Sequence, residues 1–539
     1  MKEMAKLPVI QTSNSSFALL RKSGQLYVDK TAFLHSLISV NGAMCFFSRP
    51  RRFGKTLAVS TLEAIFQGKR NLFAGLAIDS LDYEWMVYPI IHIDFGECPE
   101  CTSSGLKSWL SRKMLSIAAS NSLKIEKGID PSEQLSNLID ALSSEGNDVV
   151  VLIDEYDKVL SDHIFSAEVE KMRDVLGNFY QVIKSHGSEI RFAFITGVTK
   201  YAKLSVFSKM NNLKDYSMNR KYSSMFGYTQ EELESNFSNY IDQSLASASL
   251  SRSDYLKQLK IHYDGYRFCD DAEPLYNPVS IGNFFEDGGC RFDDYWIDTG
   301  NMKLLMDLSR KVDFNVASDL DEPMNQDSLN NFDITELASQ NVTSSDLKSL
   351  LFQTGYLTIR SNYLDAFGSH GYYLDFPNLE VRRAFLFNLA MAYAPNLEDR
   401  VQAGNLISMI RNSASEGRTE QLIESLRIFL SCIPYDIQIK NEKYYQSLLV
   451  CVFKLLGLIV QSEVRTSSGR IDALIDAQCQ MYVIEFKIDR SPDEALLQIK
   501  SKDYCLPFMH MKLTKTIHLL GIAFDSSKRN ISDWKEELI

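Results

Sequence analysis

The sequence predicts an α/β chain: a parallel sheet covered by helices over residues 1–225, a mostly helical middle, and a second α/β unit over 435–539. Three observations predict it. Apolar runs AMCFF at 43–47, IIHIDF at 90–95, VVVLIDEY at 149–156 and RFAFITG at 191–197 alternate with helical stretches, and near-continuous apolar strands belong to a parallel sheet buried on both faces. At 539 residues the chain is too long for one hydrophobic core, taking about 150 residues per domain. With 45% hydrophobic and 23% charged residues it has the composition of a globular protein, not a disordered or fibrous one.

Five segments follow from the pattern. Residues 1–225 form the sheet domain, and 226–332, punctuated by YDGYRF and LYNPVSIGNFF, a helical lid or connector. From Asp333 to Arg383 the order helix, helix and two short strands has the outline of a winged-helix-like unit at 333–390, with a plain connector as the alternative. A helical linker at 391–434 leads to the last unit. No internal repeat or low-complexity tract interrupts the chain.

Composition also limits function. The start, MKEMAKLPVI, lacks the apolar core of a signal peptide, and no apolar run approaches the roughly 20 residues of a membrane span, so a cytoplasmic setting without a membrane is expected. Nine scattered cysteines form no disulfide framework. CPEC holds Cys98 and Cys101, but without a second such pair they read as ordinary thiols rather than a zinc site, even with His92 in the vicinity. A net charge of −12 does not advertise nucleic-acid binding over the whole surface, although a local basic channel would suffice.

Two motifs carry chemistry at the N-terminal end. In CFFSRPRRFGKTLAVSTL an apolar strand passes into a helix through Gly54, Lys55 and Thr56, the arrangement of a P-loop. Amides at a helix start can cradle phosphates, Lys55 can reach the terminal phosphates and the Thr56 hydroxyl can hold magnesium. Arg49 stands where the usual pattern has glycine, which predicts a loop less free to wrap phosphate. About 100 residues on, VVVLIDEYDK supplies an apolar strand ending in acids, where Asp154 would hold Mg2+ and Glu155 would act as general base. Arg52, Gly54, Lys55, Thr56 and Asp154 thus form the candidate ATP-binding set. Thr196 and Thr199 could sense the γ-phosphate or merely cap a helix; Arg220 and Arg267 could stabilise transferred charge or make ordinary salt bridges.

Taken together, YVDKTAFL, RPRRFGKT, LIDEYDK, ITGVTK, FSKMNNLKDYS, YDGYRF, LYNPVSI, LLFQTGYLTI and FPNLEVR closely resemble, in collinear order over about residues 8–390, the AAA-ATPase-like family of bacteria. The arginine-rich loop belongs to that family's pattern. The resemblance implies a P-loop NTPase core, commonly followed by a restriction-endonuclease-like domain.

The C-terminal unit reads as an acid-capped helix, two strands and a second helix. Glu485 and Lys487, two apart on one strand, point to the same face, and Asp472 approaches from the preceding strand. Two converging carboxylates offer hard ligands for Mg2+, and a nearby lysine can position or deprotonate metal-bound water for attack on a phosphodiester. That is the PD-(D/E)XK arrangement, with Asp472, Glu485 and Lys487 catalytic. GRIDALI, YVIEFKID and the helix carrying Gln498 resemble the nuclease domain that usually follows this ATPase family. Glu442 resembles the family's additional metal-binding acid, with helix capping as its alternative role. Gln498 and Tyr504 are similar to a glutamine–tyrosine motif of related nucleases, at a spacing of six rather than four. Lys500 or Lys502 could contact phosphate.

The expectation is an ATP-dependent, magnesium-dependent hydrolase of nucleic acid, DNA before RNA. The alternative is a nucleotide-dependent switch that binds nucleic acid or a partner without cutting it, in a defence or regulatory assembly. A homo-oligomer would let a neighbour complete the ATP site, but the sequence carries no decisive interface signal.

Overall fold

The computed structural model describes residues 7–10, 12–144, 146, 148–200, 213–248, 250–296, 302–312, 318–330, 342–364, 368–393, 400–432, 449, 452, 459–466, 469–477 and 479–539. The chain divides into two compact units, Met1–Gly300 with Met324–Val381, and Asn301–Pro323 with Arg382–Ile539.

In the first unit the strands are β1 (Ala43–Ser48), β2 (Ile90–Asp94), β3 (Val149–Asp154), β4 (Ile190–Gly197) and β5 (Leu213–Asp215). They form one parallel sheet in the order β2-β3-β4-β1-β5. Every residue of β3 and β4 is buried, as strands rich in Val, Ile and Phe require when helices cover both faces. The covering helices include α1 (Lys55–Phe66), α2 (Ser103–Ser120), α3 (Pro131–Ser143) and α4 (Val169–Ser185). Their starts are set locally: Thr102 caps α2 through the Gly105 amide, and Asp130 caps α3 with Pro131 in its first turn. Because β4 lies between β1 and β3, the strand ends bearing the phosphate loop and the acids flank that of β4, with Phe47 opposite Thr196 and Ser48 opposite Gly197.

The middle of this unit is helical. Helices α5 (Gln230–Asn236), α6 (Ser238–Ser247), α7 (Arg252–Tyr263) and α8 (Pro278–Glu286) enclose an aromatic core that includes Phe237, Tyr255, Tyr263, Tyr276 and Phe284. The helix α9 (Ser344–Thr354) starts in a capping box of Thr343 and Asp346 and stops at Gly355, whose φ of 88° suits glycine. A three-stranded antiparallel sheet accompanies it: β6 (Met324–Asn325), β7 (Thr358–Leu364) and β8 (His370–Asp375), in the order β6-β8-β7. These are the helix and two strands read as winged-helix-like; the helix start expected at Asp333 lies outside the described residues. A Cβ on Gly355 would come within 2.6 Å of Pro50 Cβ, so the end of α9 abuts the loop that follows β1.

The second unit holds α10 (Arg400–Ser415), α11 (Thr419–Ser431) and five strands: β9 (Ile459–Thr466), β10 (Gly469–Ala477), β11 (Gln480–Ile488), β12 (Thr516–Asp525) and β13 (Asn530–Leu538). Their order is β13-β12-β11-β10-β9, with only β11 and β12 parallel. The β11–β12 crossover runs through α12 (Pro492–Ser501), whose Leu496 and Ile499 bury against Val483, Ile517 and Leu519. Three of these strands, β9, β12 and β13, go beyond the pair that the motifs indicated. No helix among the described residues is long and apolar enough to cross a membrane.

Candidate active sites

The loop between β1 and α1 is built on two unusual backbone positions. Gly54 caps α1 at φ 89°, and Arg52 adopts φ 69°, a left-handed conformation that costs a side-chain-bearing residue free energy and tends to occur where function fixes the backbone. Arg49 does not restrict the loop in the way its mismatch to glycine predicts. It is not among the positive-φ residues, and its side chain turns inward, only 1% exposed. There Nη1 donates to Ser48 O and Ser217 O, at 2.9 and 2.6 Å, and the guanidinium lies 4.3 Å from the Phe268 ring centre. The Lys55 ammonium folds back and donates to the carbonyls of Arg49 and Pro50, both at 2.9 Å. Burial lowers its pKa, while Asp154, Asp157 and Glu155 oppose that shift.

Across the sheet, Asp154 ends β3 fully buried. Its Oδ1 accepts from the Glu155 amide at 3.0 Å and from the Thr196 hydroxyl, while Oδ2 is buried with no hydrogen-bond partner among the described residues. That orphaned oxygen, together with Thr56 in the cavity wall, fits a divalent cation: hard oxygen donors are what Mg2+ takes. Glu155 also has a left-handed backbone, at φ 51°. Burial raises its pKa, and the neighbouring Asp154 adds to the rise. A Cβ on Gly96 would lie 3.0 Å from Glu155 Oε2 and 2.8 Å from Asp94 Oδ1, so glycine keeps the space beside Glu155 open.

Lys55, Thr56, Gly54, Arg52 and Glu155 line one cavity of about 410 Å³, and Arg51 and Lys158 line it with them. Ile10, Thr12, Tyr228, Pro278 and Val279 also line it. Sequence reading did not single out these residues, because only folding brings a segment before β1 and the start of α8 to the loop. It also missed Asp157, 2% exposed, which accepts from the Val198 and Thr199 amides and the Thr199 hydroxyl and so fastens the end of β4. Thr196 and Thr199 are thereby tied to Asp154 and Asp157. Neither Arg220, exposed on a 3-10 turn, nor Arg267 lines the cavity.

In the second unit Asp472 lies mid-strand on β10, one residue past the Ala473–Ile484 pair, which sets it opposite Glu485. Its Oδ2 accepts from the Phe486 amide at 2.9 Å. Lys487 Nζ donates to Glu485 Oε1 and to Phe486 O, both at 3.0 Å, with Glu485 2% exposed. The period of two thus brings Glu485 and Lys487 together. Opposite Glu485 on β12 stands Gly521, where a Cβ would approach Pro492 O to 2.5 Å, so glycine lets the start of α12 cross here. Gln498 Nε2 reaches Tyr504 OH at 3.5 Å; Tyr504 is a core residue. Lys500 pairs with Glu537, and Lys502 is exposed. Glu442 lies outside the described residues. The chemistry of Asp472 and Glu485 suits Mg2+ as two carboxylate ligands, although no group of three or more His, Cys, Asp or Glu among the described residues is placed to hold a metal ion, Cys98 and Cys101 included.

Fold and sites define the class: a P-loop NTPase sheet in one unit and a PD-(D/E)XK-type sheet in the other. The chain belongs to the family described as predicted AAA-ATPase, whose model matches residues 12–207, and its residues 440–534 match the PD-(D/E)XK nuclease superfamily. It is 32% identical over 540 residues to an uncharacterized protein in the vnfD 5′ region of Azotobacter chroococcum mcd 1, with 98% of each chain covered. Solved structures with weaker likeness include the Aeropyrum pernix ORC2 protein, 12% identical at a TM-score of 0.30, covering 73% of this chain and 97% of that one. The Aeropyrum pernix ORC1 protein in complex with DNA is 11% identical at 0.26, covering 66% and 91%. Scores that low carry no argument about function.

Proposed function

We propose that the first unit binds and hydrolyses ATP with Mg2+, and that the second hydrolyses phosphodiester bonds of nucleic acid, DNA before RNA. The observation that carries the reading is the convergence of Lys55, Thr56 and Glu155 on one cavity, with the orphaned oxygen of Asp154 buried at the end of β3. Lys55, now held by two loop carbonyls, would exchange them for phosphate oxygens. Thr56 and Asp154 would hold Mg2+, which supplies positive charge to the phosphates. Glu155 accepts the proton of the attacking water, a task favoured by its raised pKa.

In the second unit Asp472 and Glu485 would hold a cation that activates water, joined by Glu442 as the resemblance implies. Lys487 orients that water, since its ammonium is already anchored to Glu485. The restriction-endonuclease-like domain that the family resemblance implies favours DNA as the substrate, and the match to the nuclease superfamily supports cutting over mere binding. The described cysteines are all free, which suits the bacterial cytoplasm as the proposed setting. The test is purified protein with magnesium, assayed for ATP hydrolysis and for cleavage of single- and double-stranded DNA and RNA. Activity in both assays supports the reading; nucleic-acid binding without cleavage would replace it with a nucleotide-dependent switch.

A further inference from the structure

Phosphoryl transfer concentrates negative charge on the transferring group, and the P-loop lysine alone rarely offsets it; an arginine supplied by the same chain or a neighbour does the rest. Neither arginine singled out for that role, Arg220 or Arg267, lines the cavity. Among the described residues the cationic lining is Arg51, Arg52, Lys55 and Lys158, with Glu155 the one carboxylate. Lys158 pairs with Asp162 at 3.2 Å, and Arg52 is exposed. Arg51 is half-buried. The carbonyl of Pro50, which accepts from Lys55 Nζ at 2.9 Å, belongs to the peptide that joins Pro50 to Arg51, so the Arg51 backbone adjoins the ammonium while its side chain lines the same cavity. The positive charge of Arg51 reaches far enough to act on Lys55.

We infer that Arg51 is a catalytic residue of the ATPase reaction, supplying in cis the guanidinium that stabilises charge on the transferring phosphoryl group. The inference rests on the ATPase reading above. In the step, water oxygen bonds to the γ-phosphorus, the bond to the β–γ bridging oxygen breaks, and the water proton passes to Glu155. Arg51 keeps its proton throughout and donates N–H bonds to phosphoryl oxygens. The products are ADP and phosphate. A cation supplied in cis makes turnover per chain independent of association.

The experiment measures kcat over a wide range of protein concentration, together with binding of a non-hydrolysable ATP analogue, for wild type, Arg51→Gln and Arg51→Lys. Arg51→Gln should lower kcat about 100-fold or more and leave analogue affinity within about 3-fold. Arg51→Lys should fall between, since a point charge lacks the planar fork of a guanidinium. Mixing Arg51→Gln with Lys55→Ala should restore nothing. Unchanged kcat in Arg51→Gln overturns the inference, as does loss of analogue binding in step with kcat. Restored turnover in the mixture, or wild-type kcat that rises with concentration, would place the arginine in trans and overturn it too. A wild type that binds the analogue but never hydrolyses ATP defeats the ATPase reading itself.

Discussion

Removing the carboxylate of Asp157 should loosen the end of the sheet on which the proposed ATP site is built. The side chain is buried and accepts from Thr199 N at 2.7 Å, Val198 N at 3.1 Å and the Thr199 hydroxyl. Asp157→Ala takes three hydrogen bonds from an ionised acceptor and strands the buried Thr199 amide, which at ordinary magnitudes costs about 3–5 kcal/mol. With a urea dependence of about 2–3 kcal/mol/M, the unfolding midpoint of the first unit drops by roughly 1–2.5 M. Trp85, Trp109 and Trp296 report on that unit and Trp534 on the other, so fluorescence at several denaturant concentrations separates them. Asp157→Asn retains one acceptor oxygen and should lose about half as much. A midpoint shift below roughly 0.3 M for Asp157→Ala would refute the claim that this carboxylate fastens β4.

Lys55→Ala should abolish binding of a fluorescent ATP analogue, and Glu155→Gln should bind it normally while hydrolysing ATP at least about 100-fold more slowly, both read by titration and phosphate release. Gly355→Val should lower the melting temperature of the first unit, because the residue has φ 88° and its Cβ would press on Pro50 at 2.6 Å, a strain of about 1–3 kcal/mol. Glu380 is buried and accepts from Ser280 Oγ and the Tyr295 and Trp296 amides, and burial raises its pKa to about 8. A carboxyl that keeps its proton when folded but loses it when unfolded makes stability fall as pH rises from about 4.5 to 8. Urea midpoints across that range should show the decline, and Glu380→Gln should flatten it.

Much of the candidate ATP site was legible because its residues are consecutive. GKT after an apolar strand and DE at the end of another pointed to Lys55, Thr56, Asp154 and Glu155 as candidates, and a strand of Val and Ile buried on both sides left little choice of fold. The role of Arg49 was misjudged: glycine is needed only where the backbone turns left-handed, and in this loop that happens at Arg52 and Gly54, not at Arg49. Asp157 and the cavity wall from Ile10 to Val279 could not be read, since their meaning comes from segments far apart in sequence. In the second unit the pairing of Glu485 with Lys487 followed from strand periodicity. Strand β13, NISDWKEEL, escaped because an edge strand this rich in charge lacks an apolar signature. For β12 the apolar run IHLLGIAFD is equally consistent with a short buried helix until its parallel pairing with β11 is known.

The central claim is that the two units carry separate chemistries, one spending ATP and the other cutting nucleic acid. Strand cleavage by wild type, Asp472→Ala, Lys487→Ala and Lys55→Ala, each with Mg2+ and ATP on labelled single- and double-stranded DNA and RNA, tests it most directly. The account predicts cleavage by wild type, none by Asp472→Ala or Lys487→Ala, and intact ATP hydrolysis in both; any cleavage lost in Lys55→Ala then measures coupling between the units, since Asp472, Glu485 and Lys487 are untouched. Wild type that cuts nothing, or Asp472→Ala that cuts as well as wild type, would contradict it.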